Sequence, residues 1–303
     1  MEDIYTTIEL AGSEPAKDDE FVPEGDFDKE AWAAKKQGER EAAFAMIDKA
    51  TEHVCADPTT YRDFLDTMAR FPNYSISNTL LIYEQNPSAT RLADFESWKR
   101  QGEGVKRGES GITILEPGDE YTREDGSIGV SYKTKKVFDA MQTTARQRVP
   151  RMPDERILIK ALVANAPVQV QVVDSLEGNV HALFSKQNNV IAVARGLDSQ
   201  SIFRALAVEL SHISLAANDS FYDRAANDQT ARSSAYVLCR RFGVEPESLS
   251  PQRTPKSGEQ SLQEVREEIG AVRGAAKEIT TQMNKTLEAG KTKTHERGGR
   301  DGR

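Results

Sequence analysis

Cysteine is nearly missing from this 303-residue chain: Cys55 and Cys239 stand alone, with no CxxC pair. Two isolated thiols exclude a disulfide-stapled scaffold and a cysteine-ligated zinc module, and they fit a reducing cytoplasm. No apolar run approaches the roughly 20 residues that a bilayer crossing needs. The amino terminus is acidic where an export signal is basic and then apolar. A soluble, cytoplasmic protein without a membrane partner is the expectation. Apolar residues are also scarce, at 38% against 29% charged, and aromatics reach only 7%. Part of such a chain lacks the apolar surface to pack. An excess of positive charge is lacking too, since the net charge is −8. That deficit is local: residues 1–60 carry a net of −10 and residues 61–303 a net of +2. The acidity belongs to the beginning of the chain and leaves the remainder open to a polyanionic partner.

The organisation that follows is a disordered acidic arm over 1–26, a first domain over 27–150, a second over 151–249, and a linker, charged helix and basic tail over 250–303. Helical periodicity runs from Phe27 to about Ala56, with Trp32, Phe44, Ile47 and Val54 near one face. Asp57-Pro58-Thr59 caps a second helix. Two more are expected at about 75–85 and 94–100. A strand at 111–116, a turn at 124–126 and a strand at 127–138 make a hairpin. Helices followed by a hairpin indicate an α+β domain. Beyond Pro150 and Pro153 the pattern gives a helix, strands near 168–173 and 190–194, a helix over 199–217, another over about 226–242, and one charged helix from Gln260 to Leu287. The overall class is α+β, with a helix-rich second domain.

Residues 73–142 carry a dense set of polar, aromatic and basic side chains. Asn78 and Gln85 sit two turns apart on one helix face. Tyr74, Tyr83, Trp98 and Tyr132 are interleaved with Arg91, Lys99, Lys106, Arg107, Lys133, Lys135 and Lys136. Glycines at 104, 108 and 111 allow tight turns that hold Lys106 and Arg107 at a tip. Rings for stacking and cations for phosphates are what a single-strand groove requires. Trp98 is read as core rather than as a stacking platform.

The blocks Tyr74-Ser75…Asn78…Gln85…Thr90, Trp98 to Gly102, Val105 to Pro117 and Val137-Phe138-Asp139…Gln142-Thr143 resemble the N-terminal domain of ArdC-type antirestriction proteins. That resemblance implies a single-stranded DNA-binding domain carried on plasmids and conjugative elements, which protects incoming DNA from restriction and precedes a zincin-like domain. The DNA-binding candidates are Tyr74, Asn78, Gln85, Arg91, Lys99, Lys106, Arg107, Lys135 and Lys136.

The helix over 199–217 contains Val208-Glu209-Leu210-Ser211-His212. In the zinc-peptidase motif HExxH, two histidines at i and i+4 bind the metal and the glutamate is the general base. Here Glu209 and His212 match, while Val208 has no lone pair to give. The resemblance places a third ligand on the next helix, where Asp228 is the available carboxylate. Such a set is too small for a three-ligand catalytic centre. The expectation is therefore a non-catalytic, zincin-like domain without a cofactor. Under the alternative of an active metallopeptidase, Glu209 is the base, His212 and Asp228 hold zinc, and Asp219 or Asp223 is recruited. A protein-interaction adaptor, its acidic arm imitating DNA charge, is the remaining alternative. The preferred reading is a single-stranded DNA-binding protein of a mobile element, with restriction or conjugation proteins as further partners.

Overall fold

The computed structural model describes residues 28–123, 125–146, 152–217, 221–253 and 260–298. The expected disordered arm over 1–26 lies outside them. The chain divides into two units, 1–39 and 40–303. Helix α1 spans Lys29–Ala56 and is started by Asp28, whose carboxylate accepts from Glu30 N and Ala31 N. Ile47 and Val54 are buried, but Trp32 and Phe44 are 51% and 46% exposed, so the apolar stripe expected along this helix covers only its later half.

In the second unit α2 (Pro58–Arg70), α3 (Ile76–Gln85) and α4 (Phe95–Arg100) follow, with β1 (Leu92–Ala93) before α4. Each helix starts where a short polar side chain can bind the free N–H groups of the first turn. Asp57 does so for α2, in a capping box with Thr60, Ser75 for α3 and Asp94 for α4. Strands β2 (Ile112–Thr122) and β3 (Ile128–Asp139) form the antiparallel hairpin. Pairing slips between Pro117 and Glu120. A proline supplies no N–H to a ladder, and an edge strand with a bulge tolerates that. β1 pairs the far side of β3, so the sheet order is β1-β3-β2 and β2 is an edge. A 3-10 turn, Ala140–Gln142, closes the module.

Next come α5 (Glu155–Ala164) and a second small sheet, with β4 (Gln169–Val173) parallel to β6 (Val190–Ala194) and β5 (Ala182–Ser185) antiparallel to it. Helices α6 (Ser199–Ala217), α7 (Asp228–Phe242) and α8 (Leu262–Gly298) complete the described chain. The class is α+β, as expected. β5 was not anticipated, and α8 continues into the segment expected to be a Gly-rich tail.

One apolar cluster runs through much of the unit. Tyr61, Phe64 and Leu65 of α2 share it with Phe203 and Leu206 of α6, Leu238 of α7, and Ile269 and Val272 of α8. A smaller cluster of Phe71, Ile82, Ile112, Ile114 and Val137 lies under the hairpin. Trp98 is wholly buried, and its indole N–H donates to Phe138 O at 3.0 Å. This agrees with its reading as core. Trp98→Ala should lower the unfolding free energy by about 3–5 kcal/mol, the usual loss for a large core aromatic. A urea melt reads this directly, and a loss under about 1 kcal/mol would place the ring outside the core.

Candidate functional site

The polar blocks of the first module converge on the backbone. Asn78 Nδ2 donates to Leu115 O at 2.8 Å, and Leu115 N donates to Asn78 Oδ1 at 2.7 Å. Gln85 repeats the arrangement two residues along, with Nε2 donating to Thr113 O at 2.9 Å and Oε1 accepting from Thr113 N at 2.8 Å. These are the groups that β2 turns away from β3. Two carboxamides two turns apart on α3 thus act as a short artificial strand along the β2 edge. Both ends of each amide are committed to the β2 backbone, so Asn78 and Gln85, expected to bind DNA, have a structural role here.

Asp139, 1% exposed, is a second clamp. Its carboxylate accepts from Thr90 N at 2.6 Å, Arg91 N at 2.9 Å and Met141 N at 2.9 Å. Gln142 Oε1 accepts from Asp139 N. Neither residue was singled out as a ligand; Asp139 ties the backbone of Thr90 and Arg91 to the end of β3, and Gln142 supports Asp139.

The expected cations divide into held and exposed groups. Lys135 lies between Asp94, at 2.9 Å, and Glu116, at 2.7 Å. Both carboxylates raise the ammonium's pKa, Glu116 first. Its charge, expected to face DNA, is met within the domain by these two carboxylates. Tyr74 is half-buried and meets Phe71 edge-to-face at 5.8 Å, which makes it a packing residue. Lys99, Lys106, Arg107 and Lys136 are exposed. Lys106 Nζ donates to Met141 O, and Lys136 Nζ donates to Gly111 O and Thr113 Oγ1. Arg91 lies with its guanidinium carbon 4.6 Å from the Trp98 ring centroid, a cation–π arrangement. Lys106 and Arg107 occupy the turn at Gly108, whose φ of +88° suits glycine. Backbone bonds tie this turn to the 3-10 segment, Lys106 N donating to Gln142 O. Arg91, Lys106, Arg107 and Lys136 therefore gather around the end of β3 and the turn after it. Glu103 and Glu109 also lie there, bonded to Thr144 and Gln142. Sequence reading missed the exposed aromatic pair of Phe44 and Tyr132, edge-to-face at 6.3 Å, because Phe44 had been counted into a helix core.

On α6 the motif residues are buried. Glu209 is 2% exposed. Its Oε2 accepts from Phe184 N at 2.8 Å and from Arg224 Nη1 at 2.9 Å, and its Oε1 accepts from Arg224 Nη2 at 2.6 Å. A general base needs a lone pair facing water or substrate. These bonds leave Glu209 poorly placed for that work. His212 is also 2% exposed, with Nδ1 2.5 Å from Tyr222 OH. Burial, and then the charge of Arg224, lower its pKa, so it is neutral at pH 7. Burial pushes the Tyr222 phenol up to about 12, so the phenol keeps its proton. Among the described residues His212 Nε2 has no hydrogen-bond partner, and it lies 3.5 Å from Asp228 Oδ1. The other Asp228 oxygen is 2.6 Å from Arg232 Nε. Two ligands of one tetrahedral zinc, each about 2.0–2.1 Å from the ion, stand roughly 3.4 Å apart. Two donors are thus well spaced, but Val208 offers nothing and Glu209 is held by an arginine. Among the described residues no group of three or more His, Cys, Asp or Glu is placed to hold a metal. Asp223 instead caps the next turn by accepting from Ala226 N, and Asp219 falls outside the described residues. The side chains present do not fit a three-ligand centre.

A family model described as the N-terminal domain of anti-restriction factor ArdC matches residues 39–150. That segment, and not the whole chain, is what is similar to an ArdC-type N-terminal domain. Two solved structures are similar to it, both of the antirestriction ArdC protein from the R388 plasmid. The metal-free one is 17% identical with a TM-score of 0.44, and the Mn(II)-bound one is 18% identical with a TM-score of 0.43. Each match covers 71% of this chain and 84% of the other. Among curated proteins no match is found.

Two outcomes follow from the clamps. Asn78→Ala strips both partners from Leu115 in a half-buried setting and should cost about 1–3 kcal/mol, with Gln85→Ala similar. Denaturant melts measure both, and losses within about 0.5 kcal/mol would mean the edge needs no partner. Asp94 is held well below the usual carboxylate range by its bonds to Ser97 and then Lys135. A lowered native value stabilises the fold above the ordinary carboxylate pKa, about 3.9, and that gain is lost as pH falls below it. Asp94→Asn should therefore be less stable at pH 7, with the gap closing below about pH 4. A pH-independent gap in thermal melts would contradict this.

Proposed function

We propose that this protein is a single-stranded DNA-binding, antirestriction-type protein of a mobile element, acting in the cytoplasm, whose second domain is zincin-like and non-catalytic. The match of residues 39–150 to the ArdC N-terminal domain carries the reading. The cations gathered around the end of β3, exposed except for half-buried Arg91, support it. Arg91, Lys106, Arg107 and Lys136 offer charge to phosphates, and Phe44 and Tyr132 offer rings on which unpaired bases stack. Lys99, exposed on α4, adds to the charge. Phosphate contacts hold the strand without reading its sequence, so affinity should vary little with base composition. The non-catalytic reading rests on the valine at position 208 and on the arginine-bound state of Glu209. Restriction or conjugation proteins are the partners that this role implies.

Fluorescence anisotropy against single-stranded and duplex DNA over a salt series tests the proposal. Single strands should bind more tightly, and the slope of log K against log salt should steepen by about 0.7 for each phosphate neutralised. Lys106→Ala with Arg107→Ala should weaken binding about tenfold for every sequence and make the slope shallower by about 1.4, two contacts at about 0.7 each. Stronger duplex binding, or affinity indifferent to salt, would refute the assignment.

A further inference from the structure

The polar groups between α6 and α7 form a charge set that DNA binding does not use. Glu209 is a carboxylate taken almost wholly out of water, and such a charge persists only beside an opposite one with good hydrogen bonds. In a three-ligand metal centre the positive charge comes from the ion. Here it comes from Arg224, whose two terminal nitrogens grip the two oxygens of Glu209 at 2.6 and 2.9 Å. The guanidinium fork matches a carboxylate in a way that an ammonium does not. Asp228, more exposed, is balanced by Arg232 one turn along the same helix through a single Nε contact at 2.6 Å. Two carboxylates, two guanidiniums and a neutral imidazole leave no net charge for a divalent ion to offset. Burial, and then the charge of Arg224, disfavour a proton on His212 despite the carboxylates of Glu209 and Asp228, and the same guanidinium repels a cation at Nε2.

We propose that Arg224 is a resident cation that takes the electrostatic place of a metal in this domain, so that the fold around α6 is metal-independent. The inference rests on the non-catalytic reading of the second domain and is independent of DNA binding.

Full-length protein purified without chelator supplies the test, through its metal content by mass spectrometry and its melting temperature in EDTA and in added zinc or manganese chloride. The wild type should contain far less than one metal per chain and should melt at the same temperature in all three. Arg224→Gln should melt about 5 °C lower, because Glu209 is left buried without its partner. Adding Glu209→Gln to that variant should recover part of the loss, since no lone charge remains. If Arg224→Gln does not fold, the wild-type metal content and chelator response still decide. Stoichiometric metal, a rise in wild-type melting with zinc or manganese, or unchanged melting of Arg224→Gln would overturn the proposal. A peptidase assay on the same sample separates the two ideas: metal without peptidase activity sinks the resident cation alone, and metal with activity sinks the non-catalytic reading as well.

Discussion

A strand edge inside a protein must have its N–H and C=O groups paired, and this molecule meets that demand with side chains carried on helices. β2 turns Thr113 and Leu115 toward α3, where Gln85 and Asn78 bind both groups of each residue. β5 turns Phe184 N toward α6, where Glu209 accepts it. Each sheet has three strands, so edges are a large share of its hydrogen-bonding groups. Leaving such groups unpaired under a helix costs about 1–3 kcal/mol each. A side-chain amide suits β2 because it donates and accepts at once, as a strand would. The pairing also fixes where each helix lies along its sheet.

That constraint changes what the motif residues mean. Asn78, Gln85, Thr90, Asp139 and Gln142 belong to the sequence blocks that carry the family resemblance, yet their polar groups bind this chain's own backbone. They specify the scaffold. The groups left for a polyanion are the cations outside those bonds, above all Arg107 and Lys99, with Lys106 and Lys136 lightly tethered to carbonyls. Recognition of phosphate asks for charge at a surface, which many positions can supply, whereas a clamp on a strand edge asks for one amide at one place. The blocks are legible for the second reason.

Helix positions were legible where capping residues and periodicity agree. Asp57, Ser75 and Asp94 begin their helices as N-caps, and α6 spans the residues its apolar repeat indicated. β5 has four residues, Ala182-Leu-Phe-Ser185, too few to show alternation, although it pairs with β6 only a short turn away. Trp32 and Phe44 have the spacing of core residues but stay exposed, since spacing alone does not say how far along a helix its packing surface extends. Lys135 reads as a free cation because neither Asp94 nor Glu116 is near it in sequence. The partner of Glu209 was invisible for the same reason: Arg224 lies beyond the end of α6, in a segment with no recognisable pattern.

The α6 motif shows why a partial match to a catalytic signature says little about chemistry. Glu209 closes a strand edge and anchors Arg224, and His212 fills buried space against Tyr222. Either residue has a structural reason to be what it is without any metal. A catalytic reading requires that the same atoms face a common vacant point with lone pairs to spare. Glu209 has none turned that way, and Val208 cannot contribute one. The physical test of a degenerate site is therefore the occupancy of each donor atom rather than the count of matching letters. By that test His212 Nε2, buried and unbonded, is the single motif atom whose coordination is left incomplete among the described residues. One such atom, with a half-exposed carboxylate 3.5 Å away that is already shared with Arg232, amounts to two donors beside a balanced set of charges.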